Sequence, residues 1–387
     1  MAVRVPIDGR SAKWARMRLS LSLEDAATQL KITAEQLGKI EDGSMLPGVG
    51  LFQKISRCYL VPEASLFAEP PETDTPLPSD FRTFDGARAK LSYETVRAIR
   101  LVQARQSMLQ ILSELDSLVV PPELEIISLR DDPEELGAKF RRKMGFDVVE
   151  QLTIPRDDAF RRWRTRVEGL GISVYIEPLG GDQTRGVSIY QNPFPAIIID
   201  QNEKNLGARA FTLIHELAHI LVRHTGISDL NRSNSIERFC NRFAAAFLMP
   251  PEAVRSVFSF GDGPQAPSVQ ELGFAAEKLC VTMSALALRL EEVGIALPGY
   301  YQKITKGFAE SAHKEEKPKP AKKSKPPYKY TYLSRFGENF TGNVIASVER
   351  GAITNVEGAR MLNAAPKHFG GFKEAIAARR QGRANAN

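Results

Sequence analysis

Residues 211–224 read FTLIHELAHILVRH, an apolar stretch with three ionisable side chains in its middle. Apolar residues occupy nearly every side of the helix that this pattern predicts, so we expect the helix to be buried. Burial of ionisable groups without partners costs several kcal/mol. His215, Glu216 and His219 therefore need a partner, and the nature of that partner constrains what the chain can be.

A divalent metal ion is the partner that the H-E-x-x-H spacing favours. Four helical residues advance about 400°, so His215 and His219 project from one face, about 6 Å apart along the axis. Zinc binds two imidazoles well and leaves room for a carboxylate ligand and an open position. The metal would lower the pKa of a bound water towards about 7, and Glu216 would take its proton and deliver it to a leaving amine. The alternative, a pair of core histidines, requires a chance match in a chain with only five histidines.

A third protein ligand is needed, and Glu237 is the candidate. The next predicted helix buries an apolar sector, and Glu237 lies at the edge of that sector. On spacing alone, a metal ligand and an ordinary solvated carboxylate are equally well supported. Asn241 lies one turn further on the same face, where it could orient a ligand or contact a substrate.

Composition limits the class of protein. The chain has 387 residues, 43% of them apolar and 25% charged, which is typical of a globular protein with two or three domains. No stretch approaches the roughly 18 to 20 apolar residues of a membrane span, and the N-terminus lacks the apolar run of a secretory signal. Three widely spaced cysteines favour the cytoplasm. A net charge of +6 permits nucleic-acid contact without requiring it.

Two segments, ARAFTLIHELAHILVRHTGI and IERFCNRFAAAFLMP, closely resemble the ImmA/IrrE family of zinc metallopeptidases, bacterial and phage proteins that cleave a partner transcriptional repressor. The strand region at 163–213 also fits, and the resemblance extends over about residues 130–295. It implies a zincin-like metallopeptidase domain. It also implies that His215, His219 and Glu237 bind Zn²⁺ and that Glu216 is the catalytic base.

In zincins, an extended substrate pairs with an edge strand beside the metal helix. The candidate edge is GVSIY at 186–190, which ends at Tyr190; the alternative is a strand that is paired on both sides. Arg209 precedes His215 by one and a half turns. Its two interpretations are a residue that shapes the site and a residue in a structural ion pair.

The N-terminus resembles the phage-repressor (Xre-like) helix-turn-helix, with Ser22 and Thr33 as predicted helix caps. Gln36 and Lys39 on its second helix are candidates for base or phosphate contacts. Arg16 and Arg18, which make the first helix basic, are further DNA-binding candidates. Three acidic residues would repel the DNA backbone: Glu35, Glu41 and Asp42. The alternative is a domain for dimerisation or partner docking.

The predicted fold class is α+β and mostly helical, with a small mixed sheet formed by strands near 172–179, 186–190 and 195–200. A long helix is predicted from Ser92 to Asp116. The predicted segments are a helix-turn-helix domain at 1–68, a Pro-rich linker at 69–83, a connecting helix at 84–129, the metallopeptidase domain at 130–308, a Lys/Pro-rich linker at 309–330, and a small helical module with a basic tail at 331–387.

These observations predict a cytoplasmic bacterial or phage zinc endopeptidase that cleaves one protein, such as a repressor or antitoxin encoded nearby. Two alternatives stay open. One is a DNA-binding regulator or toxin–antitoxin component whose metal site is structural or inactive, and the other is a metal-dependent hydrolase with a non-peptide substrate. The expected partners are the protein substrate, DNA through the N-terminal domain and, in a homodimer, a second copy of the chain. No membrane partner is expected.

Overall fold

The structure is a computed structural model that describes residues 3–75, 77, 91–115, 118, 120–180, 184–223, 230–258, 266–311 and 326–384. The chain divides into two compact units. Unit 1 comprises Met1–Ala104 and Pro178–Thr184, and unit 2 comprises Arg105–Glu177 and Arg185–Asn387. The described residues are mostly helical and include one small mixed sheet, so the predicted α+β class is confirmed.

Unit 1 begins with four short helices, followed by a 3-10 helix at Glu63–Leu66. The four are α1 (Gly9–Arg18), α2 (Leu23–Leu30), α3 (Ala34–Glu41) and α4 (Val49–Tyr59). Both predicted caps are present. The Ser22 hydroxyl accepts the Asp25 N–H, and Thr33 forms a reciprocal capping box with Gln36. The apolar faces of the helices meet in a core that includes fully buried Leu19, Leu37, Ile55 and Tyr59.

Helix α5 (Tyr93–Glu114) closely matches the helix predicted from 92 to 116. The division between the two units falls inside it, after Ala104. Within the predicted linker at 69–83, residues 69–75 and 77 contain no helix or strand, and the rest of that linker lies outside the described residues. The first part of the predicted connecting segment, residues 84–90, also lies outside them.

In unit 2, helices both precede and follow the sheet segment along the chain. Before the sheet lie α6 (Pro133–Lys143), α7 (Val148–Thr153) and α8 (Arg156–Glu168). After it come α9 (Leu206–Val222), α10 (Leu230–Leu248), α11 (Pro251–Val257), α12 (Val269–Leu279), α13 (Met283–Glu292) and α14 (Tyr300–Ser311). Their core includes Trp163, which stacks on Phe146 with ring centroids 3.6 Å apart and meets Phe247 of α10 edge-on. Helices α8 and α10 are therefore fixed against one core.

The sheet has three strands, β1 (Ser173–Glu177), β2 (Gly186–Ile189) and β3 (Ala196–Asp200), in the order β1-β3-β2. Strand β3 is central and pairs in parallel with β1, with Ser173 opposite Ala196, and antiparallel with β2, with Gly186 opposite Ile199. No further strand pairs with β2 in the described part of the chain, so the prediction that GVSIY forms an edge strand is confirmed there.

The last helices are α15 (Tyr328–Phe336), α16 (Glu338–Glu349), α17 (Asn355–Leu362) and α18 (Phe369–Ala384). They belong to unit 2, and α15 and α16 pack on β1, where the fully buried Tyr175 meets the Phe340 ring edge-on. Buried Glu177 of β1 pairs with Arg335 at 2.6 Å. The predicted linker at 309–330 overlaps α14 and α15 at its two ends, and residues 312–325 lie outside the described residues.

Within the residues that the structure describes, no helix combines the length and the apolar character needed to cross a bilayer.

Candidate metal centre

Helix α9 carries the three ionisable residues of the H-E-x-x-H pattern at its buried centre. Asn205 starts the helix by accepting the backbone N–H groups of Gly207 and Ala208 on its side chain. His215, Glu216 and His219 are 5%, 6% and 7% exposed. They are thus almost completely removed from water, as the apolar character of the helix predicts.

Helix α10 brings Glu237 to these residues. Its carboxylate oxygens lie 3.3 Å from His215 Nε2 and 3.4 Å from His219 Nε2, and the two Nε2 atoms lie 3.1 Å apart. The three side chains form a group that could hold a metal ion. The structure therefore places the Glu237 carboxylate facing both imidazoles, as a metal ligand would be.

The separations of these atoms fit a zinc ion. Zinc bonds of about 2.0–2.1 Å in a tetrahedral arrangement place neighbouring ligand atoms about 3.3 Å apart. The observed separations are 3.1, 3.3 and 3.4 Å. Two imidazoles and one carboxylate are also the donor set of open zinc sites that retain a position for water or substrate. Both the spacing and the chemistry of the residues thus fit zinc.

Hydrogen bonds within the cluster outweigh the effect of burial on the pKa values of His219 and Glu237. Burial opposes charge on His219, but the Cys240 thiol and the Glu237 carboxylate outweigh it and raise the pKa of His219 well above 6.5. Burial also raises the pKa of Glu237, yet hydrogen bonds with both imidazoles hold it well below its ordinary value. Glu237 is therefore an anionic carboxylate, the form that binds a cation.

Two residues beside the centre were not identified from the sequence. Gly186 starts β2 against α9, and a Cβ added there would lie 2.8 Å from Glu216 Oε1 and 2.5 Å from Thr212 Cγ2. A glycine at the start of a predicted strand is a known signal of such a close approach. Cys240 is fully buried and its thiol lies beside His219, where burial raises the thiol's pKa. No local signal distinguishes it from an ordinary apolar helix residue.

Three other predicted residues lie near the centre in sequence, but no described contact joins them to the cluster. Asn241 is exposed on α10. Tyr190 is half-buried, with the Arg223 guanidinium 5.3 Å from its ring centroid. Arg209 donates to the Gln201 carbonyl at 2.9 Å and lies over the Phe160 ring. Of its two interpretations, these contacts match a structural role, through a backbone hydrogen bond rather than an ion pair.

The four residues predicted to contact DNA divide into two pairs. Gln36 and Lys39 are exposed on α3, although Lys39 pairs with Glu35 at 2.7 Å. Arg16 is buried and holds Glu41 through two hydrogen bonds of 2.7 and 2.8 Å.

The prediction that Arg16 contacts DNA is therefore wrong, because its charged group joins α1 to α3 inside unit 1. Arg18 is mostly buried as well. Its guanidinium pairs with Asp74 at 2.9 Å and lies over the Trp14 ring, so the structure gives it an internal partner in place of a phosphate.

Two imidazoles and a carboxylate around one point, with a second carboxylate next to them on the same helix, define a candidate metallopeptidase-type centre. Residues 167–291 match the model of the peptidase M78 family, described as the IrrE N-terminal-like domain. The matched stretch runs from the end of α8 into α13 and so contains the sheet and both helices that carry the cluster. It is narrower than the resemblance over about 130–295.

No curated protein sequence matches the chain. Among solved structures, a Mycobacterium tuberculosis transcriptional regulator is similar with a TM-score of 0.25 and 17% identity, and the match covers 42% of this chain and 52% of the regulator. The match thus spans about half the length of that protein. A similarity of this size carries no argument about function.

Proposed function

We propose that the protein is a zinc-dependent endopeptidase that cleaves one specific partner protein, a transcriptional repressor or an antitoxin, in a bacterial or phage regulatory or stress-response system. The observation that carries the proposal is the convergence of His215, His219 and Glu237 within 3.4 Å of one another, with Glu216 on the same helix. The family match at 167–291 supports a metallopeptidase, and the choice of a repressor or antitoxin rests on the sequence resemblance.

The buried carboxylate of Glu216 would do the proton transfer. Zinc, when bound by His215, His219 and Glu237, would supply a water of lowered pKa and a Lewis acid for the scissile carbonyl. Glu216 would accept a proton, hold it while the peptide bond breaks, and release it to the leaving nitrogen. At 6% exposure its charge is little screened by solvent, which strengthens its interaction with the reacting groups.

Strand β2 is the proposed place for the substrate backbone. It lies at the edge of the described sheet, and a Cβ built on its first residue, Gly186, would lie 2.8 Å from Glu216 Oε1. A peptide that pairs with this edge would be read through its backbone and would run past the catalytic carboxylate. We also place the reaction in the cytoplasm, since Cys58, Cys240 and Cys280 are all free thiols.

The test is co-expression of the protein with the genes that flank its own, followed by mass spectrometry of the neighbouring gene products. We expect a shortened neighbour with the wild type and an intact one with Glu216→Gln, which removes the base and leaves all three metal ligands in place. Glu277→Gln, a charge-matched change at an exposed position on α12, should behave as wild type. Equal cleavage by wild type and Glu216→Gln would exclude the proposed mechanism.

A second candidate is a helix-turn-helix DNA-binding regulator with an inactive or structural metal site. One observation favours it: α2 and α3 are joined by a tight turn with Lys31 in the left-handed conformation, and α3 presents Gln36 and Lys39 to solvent. In that case no neighbour is shortened, and Glu216→Gln leaves the binding of promoter DNA unchanged. Loss of DNA affinity in a Gln36→Ala, Lys39→Ala variant would support this function.

A further inference from the structure

A cavity of about 400 Å³ lies in unit 2. It is bounded by α7 and α8 on one side and by α15 and α18 on the other. Its charged and aromatic lining consists of Arg161, Arg162, Arg166, Arg379, Glu150 and Tyr330. The volume falls within the range of pockets that bind small molecules, about 300–1,000 Å³.

We infer that this cavity binds a nucleotide, with the phosphates on the arginines of α8 and the base against Tyr330. None of its lining residues belongs to the metal centre, so the inference does not depend on the proposed peptidase activity.

The arginines of α8 are arranged as an anion site. Arg162 and Arg166 are one turn apart on the helix, and both reach Glu150, at 3.0 and 3.3 Å. Each donates one N–H group to that carboxylate in the described contacts, whereas a guanidinium has five. Glu150 thus orients two planar cations side by side and leaves most of their donors for a ligand.

The charge balance favours an anionic ligand. Arg161 pairs with Asp158 and Arg379 with Glu338, so four guanidinium groups meet three carboxylates, including Glu150. An added cation would be repelled, and an apolar ligand would cover charged groups without satisfying them. Phosphate oxygens match the paired N–H groups of arginine in geometry as well as in charge.

Tyr330 indicates that the ligand is more than inorganic phosphate. The residue is 40% exposed, and the Arg379 guanidinium lies 6.0 Å from its ring centroid. An exposed aromatic ring beside an arginine is the arrangement on which proteins stack bases. Phosphate donors and a stacking ring in one cavity together indicate a nucleoside phosphate.

Binding of ADP, pyrophosphate and adenosine to the full-length protein, measured by calorimetry, tests the inference. We expect ADP to bind more tightly than either of its parts. Arg162→Gln should weaken ADP binding roughly tenfold or more, because a charge-assisted contact to phosphate is lost. Tyr330→Leu should weaken ADP binding to the level of pyrophosphate and leave pyrophosphate binding unchanged.

Arg156→Gln is the matched control, since Arg156 lies on the same helix and pairs with Glu277 outside the cavity. It should leave ADP affinity unchanged. Arg161→Gln, at an exposed pair with Asp158, repeats the cavity test if Arg162→Gln fails to fold. Absence of ADP binding, adenosine binding as tight as that of ADP, or equal losses in the cavity variants and in Arg156→Gln would overturn the inference.

Discussion

At the scale of single residues, the candidate metal centre depends on Glu237, a carboxylate from outside the helix that carries the two histidines. The Glu237 side chain is 30% exposed and contacts both imidazoles, so it completes the set of three candidate ligands on the side that faces solvent. It is the one carboxylate among the three candidate ligands, and the two imidazole Nε2 atoms lie 3.1 Å apart. Most of the affinity for a divalent cation should therefore depend on this residue.

We expect Glu237→Gln to lower zinc affinity by roughly 100-fold or more, because an amide oxygen replaces a charged ligand while the side-chain volume is kept. Titration of the metal-free protein against a chelator of known affinity would measure this change. Glu135→Gln, at an exposed carboxylate of α6, should retain wild-type affinity. An unchanged affinity in Glu237→Gln would show that Glu237 is not a ligand.

The same scale shows what a sequence can and cannot predict. His215, Glu216 and His219 were identified from local spacing, because one helix fixes their geometry. Glu237 could be identified as a candidate ligand only from the family resemblance or from the packing of α10 on α9. The burial of Arg16 was not predicted. Its partner Glu41 lies 25 residues away, and a positive charge on the first helix does not indicate whether the side chain is buried.

At the scale of elements, the approach of β2 to α9 sets the space around the Glu216 carboxylate, the proposed catalytic base. Gly186 permits this approach because any side chain there would meet Thr212 and Glu216. The helices, their caps and the three strands followed from periodicity and cap residues. The strand order β1-β3-β2 did not, since pairing between strands is decided by long-range packing.

Gly186→Ala should destabilise the protein by about 1–3 kcal/mol, the usual cost of overpacking, since the new methyl would lie 2.5 Å from Thr212 Cγ2. Chemical denaturation measures the effect. Gly273→Ala is the control: its Cβ would meet Met283 at an ordinary 3.6 Å, and alanine in a helix should add up to about 1 kcal/mol of stability. Equal stability of the two variants would mean that β2 is not packed closely against α9 at Gly186.

At the scale of the whole molecule, the C-terminal helices belong to the same unit as the candidate metal centre. Phe340 is 1% exposed against Tyr175 of β1, and Arg105 and Arg335 both neutralise buried Glu177. The sequence predicted these helices but treated them as a separate module behind a linker. Composition locates a Lys/Pro-rich segment, but it does not show which part of the protein the following helices pack against.

Phe340→Ala should destabilise unit 2 by about 3–5 kcal/mol, because a buried ring is lost and a cavity remains. If the unit unfolds cooperatively, this variant lowers the midpoint temperature of the same unfolding transition whose midpoint is raised by added zinc. Calorimetric scans with and without zinc would show it. Phe274→Ala, at a ring that is 59% exposed, should change stability by no more than about 0.5 kcal/mol. A separate early transition in Phe340→Ala that is insensitive to zinc would contradict cooperativity.

The assignment of residues 178–184 to unit 1 has a consequence for synthesis on the ribosome. Ser92 and Thr95 both donate hydrogen bonds to the Gly180 carbonyl, so unit 1 includes a segment that is translated after α5, α6, α7, α8 and β1. A nascent chain cannot form these contacts until that segment has left the exit tunnel. The N-terminal unit, although translated first, is therefore completed only after much of its neighbour has been made.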